Sequence, residues 1–380
     1  KMARFLLILL GLLFLFNTCK SDTNKPLILA HWMPWFQYPN NAYHWPNDSG
    51  MYYEPIIGYY SSQNDTVLDW QLSLMNESGI NGIIVDWYGT SDINDYQFIK
   101  ETTDLIWNKI KANYTDLKLG ICYDFNSEVP NENIFENSLL YLQDNYFNEP
   151  QYLKYIDGNP IMLIFPSYSS SSAVQTPQGI NQALNNLGLS NLYVFAEFRN
   201  PAFDFSNNNY HNMGVFNWVY PFSKSDDKTT QINEVINDNY LYYSQATSSP
   251  YNSAFYIGSL YHGFSDHYIA SGTGTTNPYN KYGFINLDYN YMDILYNETY
   301  NSNNNPYIIQ IPTWNDYTEG TMIEPNIPTN GCIKGCNDDT TQNPYNDLIT
   351  IYQLFIDSNA DPLIIQQKLQ SITSQYFPSI

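Results

Sequence analysis

INGIIVDW, residues 80–87, is the run on which the reading of the fold turns. Ile80, Ile83, Ile84 and Val85 leave the segment no polar face, so both of its sides must be covered, as in a parallel strand with helices packed over it. An amphipathic pattern stands directly before it: Asp65–Ser78 has apolar residues at 67, 68, 72, 74 and 75, and Gly79 stops it. Working outward, the same kind of apolar run recurs upstream at Leu27–Trp35. Downstream it recurs at Leu117–Phe125, Ile161–Phe165, Leu192–Phe198, Gly214–Val219, Ala254–Leu260 and Tyr307–Pro312. Helical patterns at Asn94–Tyr114, Gln178–Leu187, Thr230–Gln245 and Tyr345–Ile356 separate most of these runs, and Leu363–Tyr376 reads as a final outer helix. Eight strands alternating with helices predict an α/β fold, a (β/α)8 TIM barrel; an open doubly wound sheet is the alternative. Composition does not change regime along the chain, so a single domain is expected over residues 27–380. Its long βα loops, notably Gln37–Asp65 and His262–Asn286, would shape the mouth of a site.

Composition narrows the partners. A net charge of −22 argues against nucleic acid and anionic membrane surfaces, both of which call for basic patches. No G-x-x-x-x-G-K-[ST], no glycine motif after the first strand, no G-x-S-x-G and no H-E-x-x-H occurs, so nucleotide binding has no support and no cofactor is expected. The N-terminus reads as an export signal over residues 1–19: Lys1 and Arg4 precede the apolar run Phe5–Phe16, which is too short to span a bilayer core of ~30 Å. Cys19 follows, just before a polar linker at 20–26, as in a bacterial lipoprotein signal. Lipidation of Cys19 and ordinary cleavage with release both stay open, and either places the chain outside the cytoplasm or on the cell surface. Cys332 and Cys336, in a Pro/Asn/Gly-rich loop, suit a small disulfide better than a zinc site. Cys122 reads as a buried small hydrophobe.

Barrel enzymes carry their reactive groups at the C-terminal ends of the strands. Those ends hold His31, Trp32 and Trp35; Asp86, Trp87 and Tyr88; Tyr123 and Asp124; Glu197 and Arg199; Asn217, Trp218 and Tyr220; and Tyr261, His262 and Asp266. The last strand ends in Trp314-Asn-Asp316-Tyr-Thr-Glu319-Gly320. Carboxylates and aromatics on one rim suit glycosidic cleavage, which needs one carboxyl to protonate the leaving oxygen and a second to assist at the anomeric centre. An Asp at a strand end can also simply cap the next helix, an open alternative for Asp86. Asp124 and Glu197 suit a structural or substrate-positioning role as well as a chemical one. His262, Asp266 and His267 fit hydrogen bonding to sugar hydroxyls or to backbone better than a metal. Asp316 and Glu319, three apart among aromatics, make poor material for a cap.

Tyr53-Glu-Pro-Ile-Ile-Gly-Tyr-Tyr-Ser-Ser62, running through to Gly79-Ile-Asn-Gly-Ile-Ile-Val-Asp-Trp-Tyr88, resembles the N-terminal barrel of glycoside hydrolase family 99, the endo-α-mannosidases. His31-Trp-Met-Pro-Trp-Phe36 and Tyr43-His44-Trp45 resemble that family's first-strand and following aromatic motifs. Ile311-Pro-Thr-Trp-Asn-Asp-Tyr-Thr-Glu-Gly-Thr-Met-Ile-Glu-Pro325 resembles its strand-eight signature. The resemblance implies Glu319 as general acid/base, and Asp316 as the base that deprotonates the sugar 2-hydroxyl on a route through a 1,2-anhydro sugar. It implies no metal. The family usually has Glu where this chain has Asp316, and Trp-Asn-Asp-Tyr-x-Glu resembles the related family 71 α-1,3-glucanases, whose pair would serve an inverting hydrolysis. The expected substrate is therefore an α-linked glycan, mannan or α-1,3-glucan, cleaved internally; a non-catalytic glycan-binding barrel is the competing class. Trp45 and Trp87 are expected as stacking walls of a sugar subsite, a core position being the alternative for Trp45. Trp35, His44, Asp86, Tyr88, Tyr123, Asp124, Glu197, Tyr220, His262, Asp266, Trp314 and Asn315 are expected as further substrate contacts.

Overall fold

The computed structural model describes residues 25–39, 44–45, 53–91, 95–125, 132–165, 176–197, 213–220, 223, 225, 227–247, 256–264, 290–300, 306–328 and 343–380. Eight parallel strands close into a barrel in chain order: β1 (Leu27–Trp32), β3 (Gly82–Trp87), β4 (Lys118–Asp124), β5 (Ile161–Phe165), β6 (Tyr193–Ala196), β7 (Met213–Phe216), β8 (Tyr256–Ser259) and β9 (Ile308–Ile311). The ring closes where Leu27 pairs with Ile308 and Leu29 with Gln310. Around it lie α1 (Asp65–Glu77), α2 (Tyr96–Asn113), α3 (Glu132–Leu142), α4 (Pro177–Asn186), α5 (Lys228–Thr247), α6 (Asn290–Thr299), α7 (Asn346–Phe355) and α8 (Pro362–Tyr376). A short antiparallel ribbon, β2 (Tyr53–Pro55) with β10 (Asn326–Pro328), stitches the loop after β1 to the loop after β9. No helix among the described residues is long and apolar enough to cross a membrane.

The local causes are conventional ones. Asn64 caps α1, its side-chain oxygen accepting from the Thr66 and Val67 amides at 3.0 and 3.3 Å. The helix buries Val67, Leu68, Trp70, Leu72, Leu74 and Met75. Gly79 ends it at φ +82°, a backbone conformation that strains any larger residue, and a Cβ there would also push the Ile356 side chain, 2.5 Å away, aside. Asp361 with Pro362 starts α8, whose Thr373 hydroxyl accepts the Trp70 indole N–H at 3.1 Å and seats the last helix on α1.

Several boundaries depart from the sequence reading. β1 ends at Trp32 rather than Trp35, because the Asn315 side chain takes the Met33 amide at 2.8 Å in place of a neighbouring strand. β7 stops at Phe216, and the Asn217 carbonyl accepts instead from the Gln310 side chain at 2.8 Å. Helices α3 and α6 are additions to the helices read from sequence; α3 runs on into a π turn at Gln143–Phe147. Strand alternation sets what faces inward. In β1, Trp32 points out and donates its indole N–H to Gln71 of α1 at 3.1 Å, so His31 points in. In β3, Trp87 points out and stacks on Tyr141 of α3 at 6.1 Å, leaving Asp86 inside. Tyr123 of β4 packs edge-on against Phe135 of α3, leaving Cys122 and Asp124 inside.

Candidate active site

The inward residues at the strand ends meet around a cavity of about 240 Å³, lined by His31, Met33, Trp35, Asp86, Tyr88, Asp124, Phe165, Trp218, Asp316 and Glu319. That is below the ~300–1,000 Å³ of drug-sized pockets, a scale suited to a sugar residue. Four of the ten lining side chains are carboxyls and none is Lys or Arg. The aromatic wall is tightly set. Trp218 meets His31 edge-on at 4.7 Å and Phe165 at 5.3 Å, while Trp35 stacks on His44 at 4.6 Å.

Residues 313–324, after β9, deliver Asp316 and Glu319. The loop folds back on itself: the Thr313 amide donates to the Thr321 carbonyl, the Ile323 amide to Thr313, and the Glu324 amide to Trp314 at 2.8 Å. Gly320, at φ +62°, makes the reversal in a region unfavourable for other residues. Asn315 clamps the loop to the exit of β1, accepting from the Met33 amide at 2.8 Å and donating to its carbonyl at 3.0 Å. Asp316 Oδ1 accepts the amides of Thr318 and Glu319 at 3.0 and 2.9 Å, so one carboxylate orients the backbone that presents the other. Glu319 Oε2 accepts the Trp218 indole N–H at 3.4 Å.

Burial dominates the electrostatics. It pushes the Asp316 carboxyl up to about 6, against the two amides that favour the anion. Asp86 is pushed well above the carboxylate range, first by burial and then by Asp124, Asp316 and Glu319. His31, buried and bonded through Nδ1 to Gln310 at 3.3 Å, is brought down to about 3 and is neutral at ordinary pH. Glu324 lies under the loop with no exposed surface; burial raises it to about 7 against bonds from Gln71, Tyr60, Tyr317 and Trp314. His31, Asp86 and Cys122 bring ligand-type atoms within 4.8 Å of one another, the set among the described residues that could hold an ion. Burial drives the Cys122 thiol and the Asp86 carboxyl toward their protonated forms, so the fold by itself does not prepare anionic ligands there.

Of the residues named from sequence, the cavity brings together Trp35, Asp86, Tyr88, Asp124, Asp316 and Glu319. His44 stands behind Trp35, with Nε2 3.0 Å from Asp95 Oδ2. Others lie elsewhere. Trp45 is a core residue rather than a subsite wall: it is sandwiched between Phe36 and Tyr59 at 4.0 and 5.0 Å, and its indole N–H donates to the Tyr60 carbonyl at 2.7 Å. Trp87 and Tyr123 face the helices, because the two-residue period that turns Asp86 and Asp124 inward turns them outward. Trp314 is buried and bonded to Glu324, and Asn315 serves the loop rather than the cavity. Glu197 is buried outside the lining set. The Tyr220 amide donates to the Tyr261 hydroxyl at 2.9 Å, and His262 Nδ1 lies 2.7 Å from Asp347 of α7; neither lines the cavity. Asp266, His267, Cys19, Cys332 and Cys336 fall outside the described residues. Met33 and Phe165 were missed as site residues, and His31 and Trp218 were read only as strand ends. Counting back by twos from Trp35 reaches Met33 and His31, which line the same cavity.

A family model described as glycosyl hydrolase family 99 matches residues 20–332. Among known proteins, the chain is similar to the glycoprotein endo-alpha-1,2-mannosidase of Mus musculus, 26% identical over 183 residues, covering 45% of this chain and 38% of that protein. The Xenopus laevis protein of that name is 29% identical over 157 residues, covering 38% of this chain and 33% of its own length. The chain thus spans well under half of these relatives. Among solved structures, the GH99 endo-alpha-mannosidase of Bacteroides thetaiotaomicron, in complex with bis-tris-propane, superposes with a TM-score of 0.61 at 17% identity, over 90% of this chain and 98% of that one, a likeness of fold.

Proposed function

The chain belongs to glycosyl hydrolase family 99, and from that membership we propose that it is an endo-acting glycoside hydrolase cleaving α-linked mannan or related glycan chains. The observation that carries this reading is the loop 313–324, which turns Asp316 and Glu319 into one acid-lined cavity and ties them together through the Glu319 amide. Glu319, as the acid, gives its proton to the glycosidic oxygen as the C1–O bond breaks. Asp316, as the base, takes the proton of the 2-hydroxyl while O2 closes on C1. Water then opens the 1,2-anhydro ring: Glu319 takes a proton from the water, and Asp316 returns one to O2. An Asp316 carboxyl pushed up to about 6 is a stronger base than an ordinary aspartate and is still ionised at neutral pH. The test is a screen of the purified protein against α-mannans, α-1,3-glucan and α-1,6-glucan, with products sized by mass. Internal fragments from α-mannan are expected, and binding without cleavage of any of them would overturn hydrolysis.

One feature favours a second reading. Asp316 stands where Glu is usual in the family, so an inverting α-1,3-glucanase is the variant that the same screen would reveal. We further propose that the protein is exported, and anchored through lipid on Cys19, on the strength of the apolar run Phe5–Phe16 and the cysteine that follows. Intact-mass analysis of native protein should show an acyl adduct on Cys19; a soluble cytoplasmic chain retaining Phe5–Phe16 would refute export.

A further inference from the structure

Glu324 takes no part in the steps above, yet it sits at the centre of the polar network beneath the loop. Its Oε1 accepts from Gln71 Nε2 at 2.5 Å and from Trp314 Nε1 at 3.1 Å; its Oε2 accepts from the hydroxyls of Tyr60 and Tyr317, each at 2.8 Å. The direction of these bonds is set by chemistry. The Trp314 indole can only donate. Gln71 must present its oxygen to the Trp32 indole, which fixes its NH₂ toward Glu324. The Tyr60 hydroxyl already receives Gln71 Nε2 and Asn315 Nδ2, each at 3.2 Å, so its own proton goes to Glu324. A carboxylate has about four lone-pair sites, and here four donors fill them. A proton on the carboxyl would have to displace one of them.

The donors come from three places: the loop before α1, α1 itself, and the two residues Trp314 and Tyr317 that flank Asp316. The same acid therefore holds both flanks of the loop against the barrel wall, and its own amide closes the loop on the Trp314 carbonyl. We propose that Glu324 is a positioning residue for the reaction, a buried carboxyl whose four acceptor bonds lock residues 313–324 so that Asp316 and Glu319 face the substrate. The proposal rests on the assignment of Asp316 and Glu319 as the reacting pair.

The test is Glu324→Gln, which keeps size and shape but turns an NH₂ against donors. Two readouts are taken: steady-state kinetics on an α-mannan that the wild type cleaves, and peptide-level hydrogen exchange. The expected result is a kcat lower by roughly 100-fold with KM within about threefold, the scale of loss for a displacement of about 1 Å at a reacting centre. Exchange should quicken in 313–324, where the Thr318 and Glu319 amides lean on Asp316, and stay unchanged in β4 and α2. Tyr317→Phe removes a single donor to Glu324 and guards against a Glu324→Gln chain that does not fold; it should lower kcat several-fold with the same local change in exchange. A normal kcat in a folded variant, or unaltered exchange in 313–324, overturns the proposal. Should the wild type cleave no glycan, the hydrolase reading fails, and exchange alone still decides whether Glu324 orders the loop.

Discussion

Replacing Asp316 by Asn should make the protein more stable at neutral pH while abolishing its role as a base. Burial raises this carboxyl from 3.8 to about 6. The folded chain therefore binds the proton more tightly than the unfolded chain does, and the ionised side chain works against folding. The cost is absent below pH ~4, grows as pH rises between the two values, and is complete above about 6. A shift of roughly two units at about 1.36 kcal/mol each comes to about 3 kcal/mol. Asn removes that cost and keeps an oxygen for the Thr318 and Glu319 amides, whose help to the anion is already contained in the value of about 6. The net gain should therefore be close to that full amount, a Tm increase of several degrees at pH 7.5. At pH 4 wild type and Asp316→Asn should differ little, because both side chains are then mostly neutral. Thermal unfolding at the two pH values measures both quantities. A variant no more stable than wild type at pH 7.5, or an equal gain at pH 4, refutes the reasoning. The same carboxyl predicts an acid limb of hydrolysis near pH 6, falling about tenfold per unit below it.

Glu319→Gln keeps the shape at the Trp218 contact but cannot give a proton, so turnover of an unactivated glycan should fall by ~10²–10⁴ with binding by calorimetry largely intact; an unchanged kcat would remove Glu319 from the acid role. Trp45→Ala should cost about 3–5 kcal/mol of stability and leave KM within about threefold, since this indole fills the core between Phe36 and Tyr59; a large KM change at unaltered Tm would return it to the substrate. The anomer of the first product, followed by proton NMR, should be retained on an α-mannan, whose 2-hydroxyl lies trans to the leaving group, and inverted on an α-1,3-glucan, whose 2-hydroxyl does not. Retention on the glucan or inversion on the mannan breaks that coupling of substrate to mechanism.

What the sequence conveyed about this site follows from which forces are local. Parallel strands buried on both faces must be apolar throughout, so β3 and β4 announce themselves, and the carboxyls at their ends stand out against that background. The direction of a side chain is equally local but is easily overridden by expectation. Trp87 and Tyr123 look like sugar platforms beside Asp86 and Asp124, yet a strand cannot turn neighbours the same way, and the aromatic partner of each carboxyl is committed to the helices. Trp45 failed for the opposite reason: its partners Phe36, Tyr59 and Tyr60 come together only once the loop after β1 has folded over the barrel. Glu324 is the extreme case, since its donors at 60, 71, 314 and 317 share no spacing that a sequence could display.

The two kinds of acid in the site answer one physical problem. In a cavity lined by four carboxyls, burial raises both Asp86 and Asp316, and the charges of Asp124, Asp316 and Glu319 raise Asp86 further. An acid lacking compensation, such as Asp86, is pushed to hold its proton, whereas one given two backbone amides, such as Asp316, stays within reach of ionisation at neutral pH. The amides are in place only while the loop keeps its shape. Glu324, with donors on every side, is the acid through which the rest of the barrel holds that shape.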